Sequence, residues 1–292
     1  MALQTDAETT MRRSWAQTLC RTAYWAMAHR SIIIGAGLVG LIVLAAILAP
    51  FIAPTDPYEQ DLLSTMMSPS WAHPFGTDDN GRDILARVLY GARISLLEVV
   101  LSVGLSVFVG VPLGIFAGMA SRMADQAIMW VMDILFAFPG IVLAILIVSV
   151  LGSSLMNLMI AIAIFSVPVY ARLSRNLTLG LKSMEYVEAA VSLGISRRRI
   201  MTHYILRNAV GPIIVQSTLT AGTVILSAAS LSFLGLGAQP PLPEWGAMMS
   251  DGRNYLGLNI YMSLFPGLAI MVTVLGFNIL GDGLRDLLDP RQ

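Results

Sequence analysis

The chain has 292 residues, of which 56% are hydrophobic and 12% charged, and its mean hydropathy is +0.73. That balance excludes a soluble globular domain and describes a polytopic membrane protein. Formal net charge is zero and Cys20 is the only cysteine, so no nucleic-acid partner, disulfide framework or cysteine metal site is indicated.

Residues 1–31 are polar to amphipathic, and Trp15, Leu19, Ala23 and Ala26 recur at a spacing that predicts a helix in the membrane interface. Arg12-Arg13 has the form of a twin-arginine signal and Leu19-Cys20 of a lipoprotein box. Cys20 precedes the apolar run, however, so lipidation is rejected and the arginines read as a basic flank. Hydropathy then predicts six spans, at Ile32–Ala53, Ser95–Ala120, Ala127–Leu151, Leu155–Leu173, Ile213–Leu236 and Tyr261–Gly281. With the N-terminus inside, fourteen basic residues lie on the inner side: Arg12, Arg13, Arg21, Arg30, Arg122, Arg172, Arg175, Lys182, Arg197, Arg198, Arg199, Arg207, Arg285 and Arg291. Four lie outside: Arg82, Arg87, Arg93 and Arg253. This bias places both termini in the cytoplasm. The chain thus divides into a cytoplasmic segment (1–31), a first span with its external loop (32–94) and a five-span core (95–292).

The external loop runs through Phe75-Gly76-Thr77-Asp78-Asp79-Asn80-Gly81-Arg82-Asp83. A calcium loop needs alternating ligands and a closing Glu, and none follows at the right distance, so no metal is assigned. The stripe Ile84, Leu85, Val88, Leu89 predicts an external helix lying against the bundle. In the second span Gly110, Gly114 and Gly118 let another helix approach closely, and Pro112 predicts a kink. Asp133 is the one clear intramembrane carboxylate of the third span. Such a group points to function by default; against that stands pairing with an arginine near the inner surface, beside Asp125. Pro139 breaks the start of the following apolar run. Asp133, Pro139 and Pro112 are the candidates for translocation or gating.

Between the fourth and fifth spans lies a polar insertion, Glu185–Pro212. Met184–Leu193 predicts a helix with two adjacent alanines. Gly194 suits a positive φ that ends it. Ser196 suits the cap of a second short helix through Ile200 to Leu206. The product is a helix–turn–helix knob rimmed by Arg197, Arg198 and Arg199. His203 has no nucleophile or metal-spaced companion, which favours a packing or coupling role. Asn176-Leu177-Thr178 has the form of a glycosylation site but lies inside. Beyond the fifth span, Pro240, Pro241 and Pro243 exclude regular helix, Trp245 predicts an interfacial anchor, and a short outer helix restarts at Glu244.

Lys182, in Gly180-Leu181-Lys182-Ser183, is the only lysine, and the flanking residues do not make a phosphate loop. ATP must therefore bind another chain if it is used at all. No HExxH, GxSxG or Cys/His cluster is present, and Gly281-Asp282 lacks the second carboxylate of an aspartyl dyad. A secondary carrier or channel not coupled to ATP is the alternative; it would be expected to show inverted repeats and midplane charges, whereas Asp133 stands nearly alone.

Glu188-Ala189-Ala190, three residues, Gly194, then Leu206 twelve residues on resembles the EAA loop of ABC importer permeases. Many members carry Ile two residues before that Leu and Pro just after it; here Tyr204 and Arg207 stand there. The Phe75–Asp83 segment, the run Ser232–Gly246 and the ending Asn278–Asp286 resemble the C-type permease subunit of the dipeptide, oligopeptide, nickel and glutathione branch. The resemblance implies an all-α, six-helix domain of the type I importer kind, in the cytoplasmic membrane. It implies no catalytic residue, metal or cofactor on this chain, with ATP and magnesium on two partner ATPases. A homologous B-type permease and an extracytoplasmic binding protein would complete the assembly, which would import di- or oligopeptides by alternating access. The coupling residues would be Glu188, Ala189, Ala190, Gly194, Arg197, His203 and Leu206. Of these, Glu188 would give a charge-assisted contact, Ala189 and Ala190 a close fit, and Gly194 the turn.

Overall fold

The computed structural model describes residues 30–288. The interfacial helix expected ahead of the first span, and the two chain ends, lie outside them. The helices are α1 (Arg30–Ile52), α2 (Ile84–Met119), α3 (Arg122–Ala137), α4 (Gly140–Leu151), α5 (Leu155–Leu181), α6 (Glu185–Ser192), α7 (Arg197–Phe233), α8 (Trp245–Gly252) and α9 (Tyr261–Leu288). Among the described residues, five of them (α1, α2, α5, α7 and α9) are long and apolar enough to cross a membrane. α3 and α4 pass the same test only together, as a pair bent by 91° at Phe138-Pro139. The proline and the residue before it both disfavour helix, which is why the pair divides there.

Two predicted boundaries are absent. The expected outer helix and second span form one 36-residue helix, capped by Asp83, whose carboxylate accepts the Ala86 N–H at 2.8 Å. Gly91 does not break it. A Cβ there would strike the Pro243 carbonyl and the Trp245 ring, so the glycine admits the returning chain. Likewise the expected short second helix of the knob runs on without a break into the fifth span as α7. Arg207, where many relatives of the loop have proline, is helical (φ −58°, ψ −38°) and donates its N–H within the run.

The small-residue stripe of α2 lies along α5. Cβ atoms on Gly110, Gly114 and Gly118 would fall on Tyr170 and Val167, on Ala171 and Ser174, and on Thr178 respectively. Ser102 and Ser106 add hydrogen bonds to the carbonyls of Met159 (3.2 Å) and Ala163 (3.1 Å) on α5. Close backbone approach and interhelical hydrogen bonds are what hold helices together where lipid removes the hydrophobic drive. Glycines also join α9 to α1, Gly276 against Leu38 and Gly283 against Ile32.

At the N-terminal end of α2 the outer loop folds into a buried polar network. Arg82 Nε lies 2.6 Å from Asp78 and its Nη2 3.7 Å from Asp79, while Arg87 lies 3.5 Å from Asp78 and donates to the Pro57 and Pro241 carbonyls. Arginines thus take up the acidic run that has the outline of a calcium loop. Trp245, expected as an interfacial anchor, is only 1% exposed and donates its indole N–H to the Val88 carbonyl at 3.0 Å. Glu244 caps α8 by accepting from Gly246 and Ala247, each at 2.8 Å.

Candidate functional site

At the opposite end of α2 stands α6. Its helix is short because Gly194 adopts φ +75° and closes it with paired bonds, Ile195 N–H to the Ala190 carbonyl (3.1 Å) and Gly194 N–H to Val191 (2.9 Å). Glu185 and Glu188 lie in the first turn, where the helix dipole favours negative charge. Val187 and Ala190, three residues apart, face inward, and Glu188 and Ala189 face out. Ala190 therefore departs from expectation. It is 3% exposed and fits α6 to its own chain, so it presents no surface to a partner.

The outward side carries residues that motif reading missed. Met184, Tyr186, Val191 and Leu193 are all exposed, Leu193 at 81%. Their signal was there: with Val187 and Ala190 facing in, apolar side chains at the other helical phases have nothing of this chain to cover them. Tyr186 is steadied by stacking on Tyr204 at 6.4 Å. Arg197, Arg198 and Arg199 are exposed beside this face and make no ion pair among the described residues. His203 is also exposed, its Nδ1 2.9 Å from Thr202 Oγ1, whereas Leu206 is half-buried at the foot of the knob.

Beneath α6 an apolar cluster joins Val187 to Ile200, Ile205 and Ile213 of α7, Val111 and Ile115 of α2 and Tyr170 of α5. Ile200–Leu206 is a π-helical stretch, a geometry found in short pieces and often at functional sites. Lys182 donates to the Gly118 carbonyl at 3.1 Å, tying the last turn of α2 to the loop that enters α6. Arg175 grips Asp125 through two bonds of 2.5 and 2.6 Å, joining α5 to α3. The knob is thus packed on the ends of three spans, α2, α5 and α7.

The three residues considered for gating do not converge on one cavity. Asp133 pairs with Arg172 at 2.7 Å, and that guanidinium also covers the Phe136 ring at 4.3 Å. Pro112 is within α2 beside the Gly110–Gly114 contact to α5. Pro139 forms the break between α3 and α4 and lines a cavity of about 770 Å³ facing α5 and α7. Neither Asp133 nor Pro112 lines it.

Residues 110–292 match the family described as the inner membrane component of binding-protein-dependent transport systems, and residues 27–69 match the N-terminal transmembrane domain of oligopeptide transport permease C. The chain belongs to this family of transport permeases. The permease is 48% identical over 260 residues to a dipeptide transport system permease protein of Alkalihalophilus pseudofirmus, covering 89% of this chain and 86% of the relative. It is 46% identical over 267 residues to a glutathione transport system permease protein of Pectobacterium atrosepticum, covering 90% and 88%. A probable D,D-dipeptide transport system permease protein of Escherichia coli K12 is 45% identical over 251 residues, covering 86% and 84%. In fold, the permease superposes on the MetNI methionine ABC transporter with a TM-score of 0.57 at 18% identity, covering 69% of this chain and 96% of that one. It is accordingly a multi-pass transport subunit of the type I importer fold and not an enzyme; the ATPase of such a system resides on separate chains.

Proposed function

We propose that this permease is the C-type transmembrane subunit of an ATP-driven, binding-protein-dependent importer of di- or oligopeptides. It acts by alternating access in the cytoplasmic membrane, with both termini inside. The observation that carries the coupling half of this reading is the outward face of α6, an apolar patch of Tyr186, Val191 and Leu193 beside three exposed arginines, mounted on a buried cluster shared by α2, α5 and α7. A partner's groove would cover the patch, with ATP and magnesium held entirely on the two ATPase chains. Closure of the ATPase pair would displace α6. The packed cluster, too dense to absorb that displacement, would pass it on as a reorientation of the spans. Glu188 and Ala189 would meet the groove, Gly194 would set the angle of the knob, and Arg197 and His203 would supply rim contacts. The peptide class rests on the dipeptide and glutathione relatives. A homologous B-type permease would form the other half of the pore, and a binding protein would deliver solute at the outer end.

A mild-detergent pull-down of the tagged permease from its native membrane tests the assembly. The expected companions are a second permease and ATPase chains bearing a phosphate loop, with the binding protein present when the complex is trapped. Recovery of the intact permease alone from membranes where it is abundant would overturn the ATP-coupled reading.

A further inference from the structure

The bend between α3 and α4 opens the 770 Å³ cavity between the Phe138-Pro139 break, α5 and α7. On its α7 wall Gln216, Thr220, Thr223, Ser227 and Ser230 recur at alternating spacings of four and three residues, which keeps them on one stripe. Polar side chains on one stripe of a membrane span are costly unless their own backbone, water, solute or another chain meets them. Ser227 makes the point most directly. It is 6% exposed, lines the cavity, and makes no hydrogen bond among the described residues. A buried hydroxyl in that position looks to the cavity for its partner.

The chemistry of the lining is weighted toward acceptors. Ser230 gives its hydrogen to the Leu226 carbonyl at 2.7 Å, and Ser166 on α5 gives its own to Ile162 at 2.9 Å. Thr220 accepts from Gln216 Nε2 at 3.2 Å, which leaves the Gln216 carbonyl free. Thr223 likewise gives its hydrogen to the Leu219 carbonyl, so the hydroxyls of Ser230, Ser166 and Thr223 present lone pairs; Ser227 keeps a free hydroxyl hydrogen, and acceptors outnumber donors along the lining. Across the cavity stand the rings of Phe138 and Phe165, the latter laid over Gly140, where a Cβ would sit 3.1 Å from the ring. Ring faces also attract positive charge. No ionisable side chain is among the lining residues, so an anion finds no cation here.

We infer that this cavity is the permease's half of the translocation path, and that it favours solutes presenting ammonium and amide N–H groups over anionic ones. The inference rests on the transport reading above and adds to it a location and a chemical class. The amine end and peptide N–H groups of a short peptide would pass along the hydroxyl stripe, while a carboxylate would have to be met by the partner permease or by water.

The test uses the whole complex with its partner chains in lipid nanodiscs, where both membrane faces are accessible. Cys20→Ser removes the only native thiol of this chain; single cysteines then replace Thr223, Ser230 or Phe108, an exposed α2 residue that lines no part of the cavity. Each is reacted with a methanethiosulfonate carrying either trimethylammonium or sulfonate, with nucleotide absent and with vanadate-trapped nucleotide. Modification is read on this chain by mass spectrometry. After correction for the reagents' rates with a free thiol, Thr223→Cys and Ser230→Cys should react with the cation roughly five- to tenfold faster than with the anion, as expected of a cation–π contribution between the exposed and the desolvated extremes. Phe108→Cys should stay inert. Silence at both cavity positions under both nucleotide conditions, equal rates for the two reagents, or Phe108→Cys reacting as fast as the cavity thiols would each overturn the inference. Partner ATPases co-purifying with the Cys20→Ser parent report separately on the transport reading. Their absence would remove that reading whatever the thiols do, and their presence with inert cavity thiols would remove only the lining.

Discussion

The two ends of the bundle solve the same problem in opposite ways. At the outer end, the charged groups of the loop find partners in the chain itself: Asp78 with Arg82 and Arg87, His73 with Asp83 at 2.9 Å, the Trp245 indole with the Val88 carbonyl. Asp78, Arg82, Asp83 and Arg87 are buried and paired there, which rigidifies the loop. At the α6 end, the arginines beside the knob have no acidic partner among the described residues and apolar side chains face outward. One end meets its loop charges within its own sequence. The other is a surface complete only when something else covers it, and a truncation at each end should therefore register in different measurements.

The largest expected effect is at the closed end. Trp245→Ala empties a fully buried site and leaves the Val88 carbonyl without its donor; truncation of a buried large aromatic costs about 3–5 kcal/mol. The thermal midpoint of the purified complex should fall, and transport should fall in proportion to folded protein. Leu193→Ala, a truncation at the open end, should leave that midpoint within about 0.5 kcal/mol of the parent's stability. Equal losses for the two variants would erase the distinction between the ends.

Between the ends, Gly114→Ala drives a methyl group into the Ala171 carbonyl and Ser174 on α5. Overpacking of this kind costs about 1–3 kcal/mol. Because α2 links the outer network to the cluster under α6, ATP hydrolysis should persist while solute uptake drops. Full uptake at normal expression would show that the α2–α5 contact plays no part in transmission.

Leu193→Asp sharpens the comparison from the open side. Placing a charge on a surface meant to be covered should leave the monomer's stability unchanged but weaken ATPase retention about tenfold, the scale of one interface residue worth more than 1 kcal/mol. Retention of ATPase at the parent level in size-exclusion chromatography would show that the exposed apolar face lies outside the contact. Ala190→Arg is a different experiment. Since Ala190 is buried, it should dislodge α6 and lower stability as well as coupling.

What could be read in advance follows the physics of each signal. Spans are long apolar runs, and hydropathy sees them; the break at Pro139 and the turn at Gly194 follow from residue types with few backbone options. Continuity was harder. Gly91 has the form of a boundary, yet its missing side chain serves Pro243 and Trp245, more than 150 residues away in sequence. The same is true of Trp245, whose buried hydrogen bond reverses its expected place at the interface. In the knob, the motif identified the loop but not the helical phase, so Ala190 and Ala189 read alike although one is inside and the other out. The stripe from Gln216 to Ser230 is visible in the sequence at helical spacing, but only the bend between α3 and α4 shows that it faces a cavity.

The smallest effect belongs to Asp251 on α8, half-buried near the closed end's network. Burial, reinforced by Asp79 and Asp78, raises its carboxyl above the ordinary range, against the pull of Arg82 and Arg87. In the folded protein it therefore holds its proton to a higher pH than in the unfolded chain. Its contribution to stability is fully present below the ordinary aspartate value and is lost as pH rises through the raised one. Asp251→Asn keeps the shape and removes the proton equilibrium, so the stability of the variant should fall less over that interval than the parent's. The same substitution should leave ATPase retention untouched, because the open end shares none of these charges. A parent and variant with identical pH profiles would show that the Asp251 carboxylate ionises in the fold as freely as in water, and that the arginines beside it, not its burial, decide its charge.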